Sequence, residues 1–253
     1  AGALAGLAVR TPAMKQPDWE RVQRLHLEGL KQEDAQPMAV AGRVGQRVLF
    51  GDSSPYAWPS SGSAATVAGF TLEQVKVRQQ SLFSPASATV LIAGDLTRAE
   101  AEQTLTGLFA DWKGGTPRAA TKVAQPAPAD LMRVVIVHRP NAVQTVVRYL
   151  APGIHAADDR RVPYDLINTI LGGSFTSRLN QNLREDHGYT YGAGSAFVMQ
   201  PGAGYWMARA SVRADVTGES LVEFTRELDR LRAGDISESE VAKARETVRT
   251  NTV

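Results

Sequence analysis

Residues 171–195 read LGGSFTSRLNQNLREDHGYTYGAGS. A glycine pair, Gly172-Gly173, opens the stretch. A short amphipathic segment follows, and a strand-like run rich in tyrosine and glycine ends it. Arg184 and Tyr191 stand on either side of the His187-Gly188 turn. Arginine offers a five-donor fork to a carboxylate or a peptide carbonyl. A neutral phenol can donate to an oxygen on which negative charge develops. As an isolated pair, the plainer reading takes precedence: Arg184 ion-paired at a helix end and Tyr191 packed in a sheet. Tyr189 competes for the phenol role, two residues earlier on the same expected strand face, and periodicity does not choose between them.

Outward from this stretch, the pattern alternates helices with short strands. Upstream, 158–171 reads as a helix whose first turn lies near Pro163, and 175–184 as a short continuation. Downstream, 190–198 and 204–212 read as strands. Thr217 starts a helix with Leu221, Phe224, Leu228 and Leu231 on one face, and Ser237 with Glu240 forms a capping box for another. The helical register of 239–253 meets no stop signal. Strands are also expected at 131–138 and 144–150, separated by an Arg-Pro-Asn turn.

The first half repeats the theme. Pro17-Asp18 and Pro37 mark helix starts, and Leu49-Phe50-Gly51 ends the second of these helices. The Ser-, Pro- and Gly-rich stretch 52–63 reads as an irregular loop. Thr71 with Gln74 and Thr97 with Glu100 are capping boxes, and ATVLIA at 88–93 reads as a central strand. Residues 114–130 carry Gly114, Gly115, Pro117, Pro126 and Pro128 and read as a linker. The expected organisation is therefore residues 1–115, a linker at 116–130, and residues 131–253, an α+β chain of two α/β-type halves.

Composition excludes several function classes. The 253 residues carry a formal charge of +2, from 28 Lys and Arg against 26 Asp and Glu. Both signs are interspersed, with no basic stripe for nucleic acid. The chain has no cysteine, so disulfides, thiol catalysis and cysteine–zinc sites are excluded. The apolar start 1–9 is too short to span a bilayer and lacks a basic leader; it reads as the end of a buried helix. His26, His138, His155 and His187 form no local HExxH or HxxEH arrangement. No GxSxG elbow, P-loop or dinucleotide fingerprint is present.

Taken together, these residues resemble the pitrilysin/insulinase-like zinc metallopeptidases, which include the mitochondrial processing peptidase. In 171–195, the glycine-containing helix entry, the arginine step at 183–185 and the tyrosine strand at 188–191 carry the likeness. LFGDSSPYAWPSSGSAATVAGFTLEQV at 49–75 resembles the connection after the catalytic helices of a preceding domain. SPASATVLIAGDLTRAEAEQTLTGLFADWKGG at 84–115 resembles that domain's last strand and helix. The likeness covers nearly the whole chain, and its order makes it specific.

The resemblance implies two related two-layer α/β sandwich domains with largely antiparallel sheets backed by helices. The first would be incomplete, and the second would be an inactive domain of the C-terminal type. It implies that Arg184 and Tyr191 bind substrate backbone and stabilise the tetrahedral intermediate, leaving Tyr189 to pack. It places zinc outside this chain, in a missing N-terminal part or a partner subunit, because the HxxEH helix is absent. Glu28, with Glu33-Asp34 and Pro37 after it, resembles the region of the distal zinc-binding glutamate; a surface glutamate is the simpler reading.

The expected function is to supply substrate-binding and oxyanion-stabilising groups to peptide-bond hydrolysis, with this chain inactive alone. The alternatives are a non-catalytic peptide-binding or scaffold subunit, and an unrelated two-domain α/β enzyme. Expected partners are unfolded or extended peptides and a catalytic subunit or second copy, with no nucleic acid and no membrane span. The expected compartment is the bacterial periplasm or cell envelope, with the cytoplasm as the alternative.

Overall fold

The computed structural model describes residues 2–117, 121–128 and 131–252. Within the expected linker, 118–120 and 129–130 lie outside the described residues. The fold is α+β, with many helices and a small antiparallel sheet. Contacts divide the chain into two compact units. One comprises Ala1–Gln32 and Ser61–Thr121, the other Glu33–Ser60 and Lys122–Val253.

The first unit is helical among its described residues. It holds α1 (Gly2–Arg10), most of α2 (Gln16–Ala35), α4 (Ala64–Ala68), α5 (Leu72–Leu82) and α6 (Arg98–Phe109). Both expected capping boxes form: Thr71 with Gln74 starts α5, and Thr97 with Glu100 starts α6. Each satisfies backbone N–H groups that have no partner inside the helix. Leu30 and Val67 are buried here. Gln23 Nε2 ties α2 to the end of α4 by donating to the Val67 carbonyl at 2.8 Å.

The second unit contains the sheet. Its strands are β1 (Gln144–Pro152), β2 (Thr190–Gln200) and β3 (Ala203–Arg213), in the spatial order β1-β3-β2 and all antiparallel. Alternation sends Val147 and Tyr149 of β1, with Ala208, Ala210 and Val212 of β3, into the core. That core is closed by Leu179, Leu183 and Phe224, all fully buried. Phe224 belongs to α9 (Thr217–Arg232), where its ring lies 5.2 Å from that of Tyr149. The opposite sheet face meets α3 (Pro37–Phe50): the Gly42 backbone lies against the Arg148 guanidinium, and Gly45 lies against Leu150. The final helix, α10 (Glu238–Thr252), begins at the expected Ser237–Glu240 box.

Two expected strands are corrected. Neither 88–93 nor 131–138 is in a strand. Both are apolar and β-branched, as a strand requires, yet Leu91 is 92% exposed and Ile136 85%. The physical reason is pairing. A strand is stable only when its N–H and C=O groups find a neighbour, and among the described residues no strand lies beside either run. Consequently no sheet forms among the described residues of the first unit.

Candidate functional site

The segment bearing Arg184 and Tyr191 is held against the sheet by close backbone approach. Helix α7 (Arg161–Asn168) runs into a π-helical turn, Thr169–Gly173. A Cβ on Gly172 would fall on the backbone nitrogen of Ser195, so only glycine lets this turn lie on β2. Asn168 then brackets Ser195: its Nδ2 donates to the Ser195 carbonyl at 3.1 Å, and Ser195 Oγ donates to Asn168 Oδ1 at 2.7 Å.

From there α8 (Arg178–Asn180) continues into a second π-helical turn, Gln181–Asp186, which carries Arg184. Leu179 and Leu183 anchor it in the core. Two of its buried polar side chains make ion pairs or hydrogen bonds to the helices beyond. Asn182 Nδ2 donates to Glu223 at 3.0 Å and to Glu227 at 2.9 Å. The Arg178 side chain, only 8% exposed, grips Glu240 through Nε at 2.6 Å and Nη2 at 2.8 Å. Those bonds, with help from the Ser237 amide and hydroxyl, hold the Glu240 carboxyl down to about 2. Gly188 ends the turn at φ +64°, and Tyr189 N–H closes it on the Leu183 carbonyl at 2.8 Å.

Strand β2 begins with a bulge. Pairing with β3 shifts between Thr190, opposite Val212, and Ala193, opposite Ala210. The Thr190 hydroxyl stabilises it, donating to the Ser211 carbonyl at 2.7 Å and accepting from Gly192 N–H at 3.2 Å. Around this irregularity the two tyrosines part. Tyr189 is half-buried and packs on the core, its ring 5.0 Å from His187. Tyr191 is 91% exposed, without a hydrogen-bond partner among the described residues. It borders an open groove of about 400 Å³ on the α3 side of the sheet, with Met38, Gln144 and Arg209.

Arg184 is part-exposed. Its Nε lies 3.3 Å from Glu185, and its guanidinium stacks 4.7 Å above the Phe175 ring. No hydrogen bond joins Arg184 to Tyr191 among the described residues, and Arg184 does not line the Tyr191 groove. Sequence reasoning missed Arg209 and the bulge; strand register, which sets both, is not a local property.

The histidines do not converge. His26 contacts the Ser61 carbonyl at 2.8 Å, His155 lies beside its own turn, and His187 Nδ1 donates to the Asn182 carbonyl, 2.9 Å away. Glu28 is exposed on α2. Among the described residues no group of three or more His, Asp or Glu is gathered to hold a metal. The donors among the described residues therefore do not fit a zinc site. Nor is any helix among the described residues long and apolar enough to cross a membrane.

Comparison with known proteins gives a consistent likeness. Residues 69–248 match the family described as Peptidase M16 inactive domain. An uncharacterized zinc protease of Streptomyces coelicolor is 25% identical over 206 residues, covering 78% of this chain and 43% of that protein. The crystal structure of a peptidase M16 inactive domain from Pseudomonas fluorescens superposes with a TM-score of 0.86 at 24% identity, over 98% of this chain and 59% of that one. The periplasmic protease PqqL of Escherichia coli gives a TM-score of 0.67 at 18% identity, over 92% of this chain and 25% of that one. The chain thus spans less than two thirds of the length of each.

Proposed function

Because the chain belongs to the M16 peptidase family, matching its inactive domain over 69–248, we propose that it serves peptide-bond hydrolysis from the supporting side. In this reading Tyr191 and Arg184 engage an extended peptide, Tyr191 through its phenol and Arg184 through its guanidinium. The observation that carries it is Tyr191 itself: a phenol 91% exposed, without a partner, held out by a glycine-flanked bulge at a groove.

The chemistry asked of these residues is limited. Tyr191 can donate one hydrogen bond to an oxygen gaining charge, and a single such donor is worth about 2.7–4 kcal/mol in a hydrolytic site. Arg184, stacked on Phe175 and paired only with its neighbour, keeps donors for a peptide carbonyl. Zinc and the general base belong, on this reading, to the part of the longer family polypeptide beyond these residues, or to a partner subunit. The same reading divides the chain into residues 1–115, a Gly- and Pro-rich linker at 116–130, and 131–253, each flank being part of a related α/β domain. It also places the protein in the bacterial periplasm or envelope, which the likeness to a periplasmic protease supports.

The test is hydrolysis of an unstructured peptide by this chain alone and combined with the catalytic half of the family polypeptide. The chain alone is expected to be silent and the combination active. Tyr191→Phe and Arg184→Ala are each expected to lower kcat/KM on the order of a hundredfold. Full activity in both variants would overturn the assigned roles. Peptide binding without turnover in every combination would leave a non-catalytic scaffold.

A further inference from the structure

Two arginines face one another across the sheet. In the β1–β3 register Arg148 lies directly opposite Arg209. Like charges at such positions repel, and neither arginine has an acidic partner among the described residues. Arg148 contacts the Met207 sulfur at 3.8 Å and leaves its buried Nε without a hydrogen bond. Burial and the nearby charge of Arg209 both push the Arg148 guanidinium below its usual range. Several other arginines of this unit are ion-paired: Arg178 with Glu240, Arg213 with Asp215, Arg226 with Glu223, and Arg230 with Glu227. This couple, set directly opposite one another without a counter-charge, sits at the groove beside Tyr191, which Arg209 lines.

We propose that Arg209, backed by Arg148, is a carboxylate-binding subsite of the Tyr191 groove. It would favour extended peptides that present an acidic side chain or a free C-terminus next to the segment held at Tyr191. This deepens the function proposed above and rests on it for the peptide, though not for the anion. A guanidinium fork accepts a carboxylate through two parallel hydrogen bonds. Binding an anion there also relieves the repulsion between the two arginines, so charge recognition is favoured twice over. Gln144 lines the same groove and adds an amide that can bond the remaining carboxylate oxygen or the peptide backbone.

The experiment measures fluorescence anisotropy of labelled, unstructured peptides binding to this chain. One peptide carries Glu, its isostere carries Gln, and each is made with a free or an amidated C-terminus. Stronger binding of the Glu peptide, by tenfold or more and weakening with salt, identifies an acidic side chain as the ligand. The same gain for the free terminus identifies the C-terminal carboxylate. Arg209→Gln is expected to abolish the preference, bringing the charged peptides down to the affinity of the neutral amidated one, and Tyr191→Phe to weaken all peptides alike. Equal affinity for all four peptides, or a preference that survives Arg209→Gln, overturns the subsite. N-acetylglutamate amide against N-acetylglutamine amide, read by thermal shift, separates the two proposals. Should no peptide bind while the glutamate compound alone raises Tm in an Arg209-dependent way, the anion site stands and the peptide function fails.

Discussion

Asn180 accepts a hydrogen bond from the backbone N–H of Ala193 at 3.2 Å. Through it the helical segment that carries Arg184 is tied to the first strand residue beyond the bulge that carries Tyr191. The same side chain donates to the Phe175 carbonyl at 2.6 Å, closing the loop below. Asn180→Ala removes both bonds and strands a buried amide. Urea denaturation should show a loss of about 1–3 kcal/mol. Hydrogen exchange at Ala193 should accelerate while the far end of β2 is unaffected.

The approach of Gly172 to Ser195 makes an asymmetric pair of glycine substitutions. Gly172→Ala sets a methyl group against β2 backbone and is expected to cost about 1–3 kcal/mol. Gly218→Ala, near the start of α9 with nothing within 4 Å of the added methyl, should be stabilising by about 0.4–1 kcal/mol. Thermal unfolding of the two variants checks the opposite signs.

Acid should weaken the fold through Glu240. Its folded carboxyl sits at about 2 against an ordinary value of 4.5, because Arg178 binds the charged form. A depressed carboxyl stabilises the fold fully above its unfolded value. That contribution fades as pH falls from about 4.5 through about 2. Glu240→Gln should flatten the curve of stability against pH in this window. At pH 7 it should cost about 2–3 kcal/mol, since Arg178 is left buried without its counter-charge.

Tyr189 and Tyr191 should answer mutation in opposite ways. Tyr189→Ala removes packing from the core and should lower stability by about 2–4 kcal/mol. Tyr191→Ala touches nothing within the fold and should stay within about 0.5 kcal/mol of the parent. Stability read by urea midpoint and peptide affinity read by anisotropy would then separate the two tyrosines cleanly.

What the sequence discloses and what it withholds divide along the range of the interactions. All three capping boxes were legible, because each is an exchange between residues three apart. The helix stop at Gly51 followed from a local steric rule, whereas the need for glycine at 172 arises from its approach to Ser195, distant in sequence. The runs 88–93 and 131–138 were misjudged because composition states a preference for strand but cannot supply a neighbour. The bulge at Tyr191 and the facing of Arg148 with Arg209 were invisible, since each depends on which residue of β3 lies opposite. The roles proposed for Arg184 and Tyr191 came from the likeness to a family, not from the spacing between them.

The bare run 131–137 has a colloidal consequence. Val134, Val135, Ile136 and Val137 are 72%, 49%, 85% and 54% exposed, and no acidic residue interrupts them. An exposed β-branched tetrad without proline favours intermolecular strand pairing, and the charges of Arg133 and Arg139 on either side oppose it. Prepared as these 253 residues alone, the protein carries its own seed for precipitation.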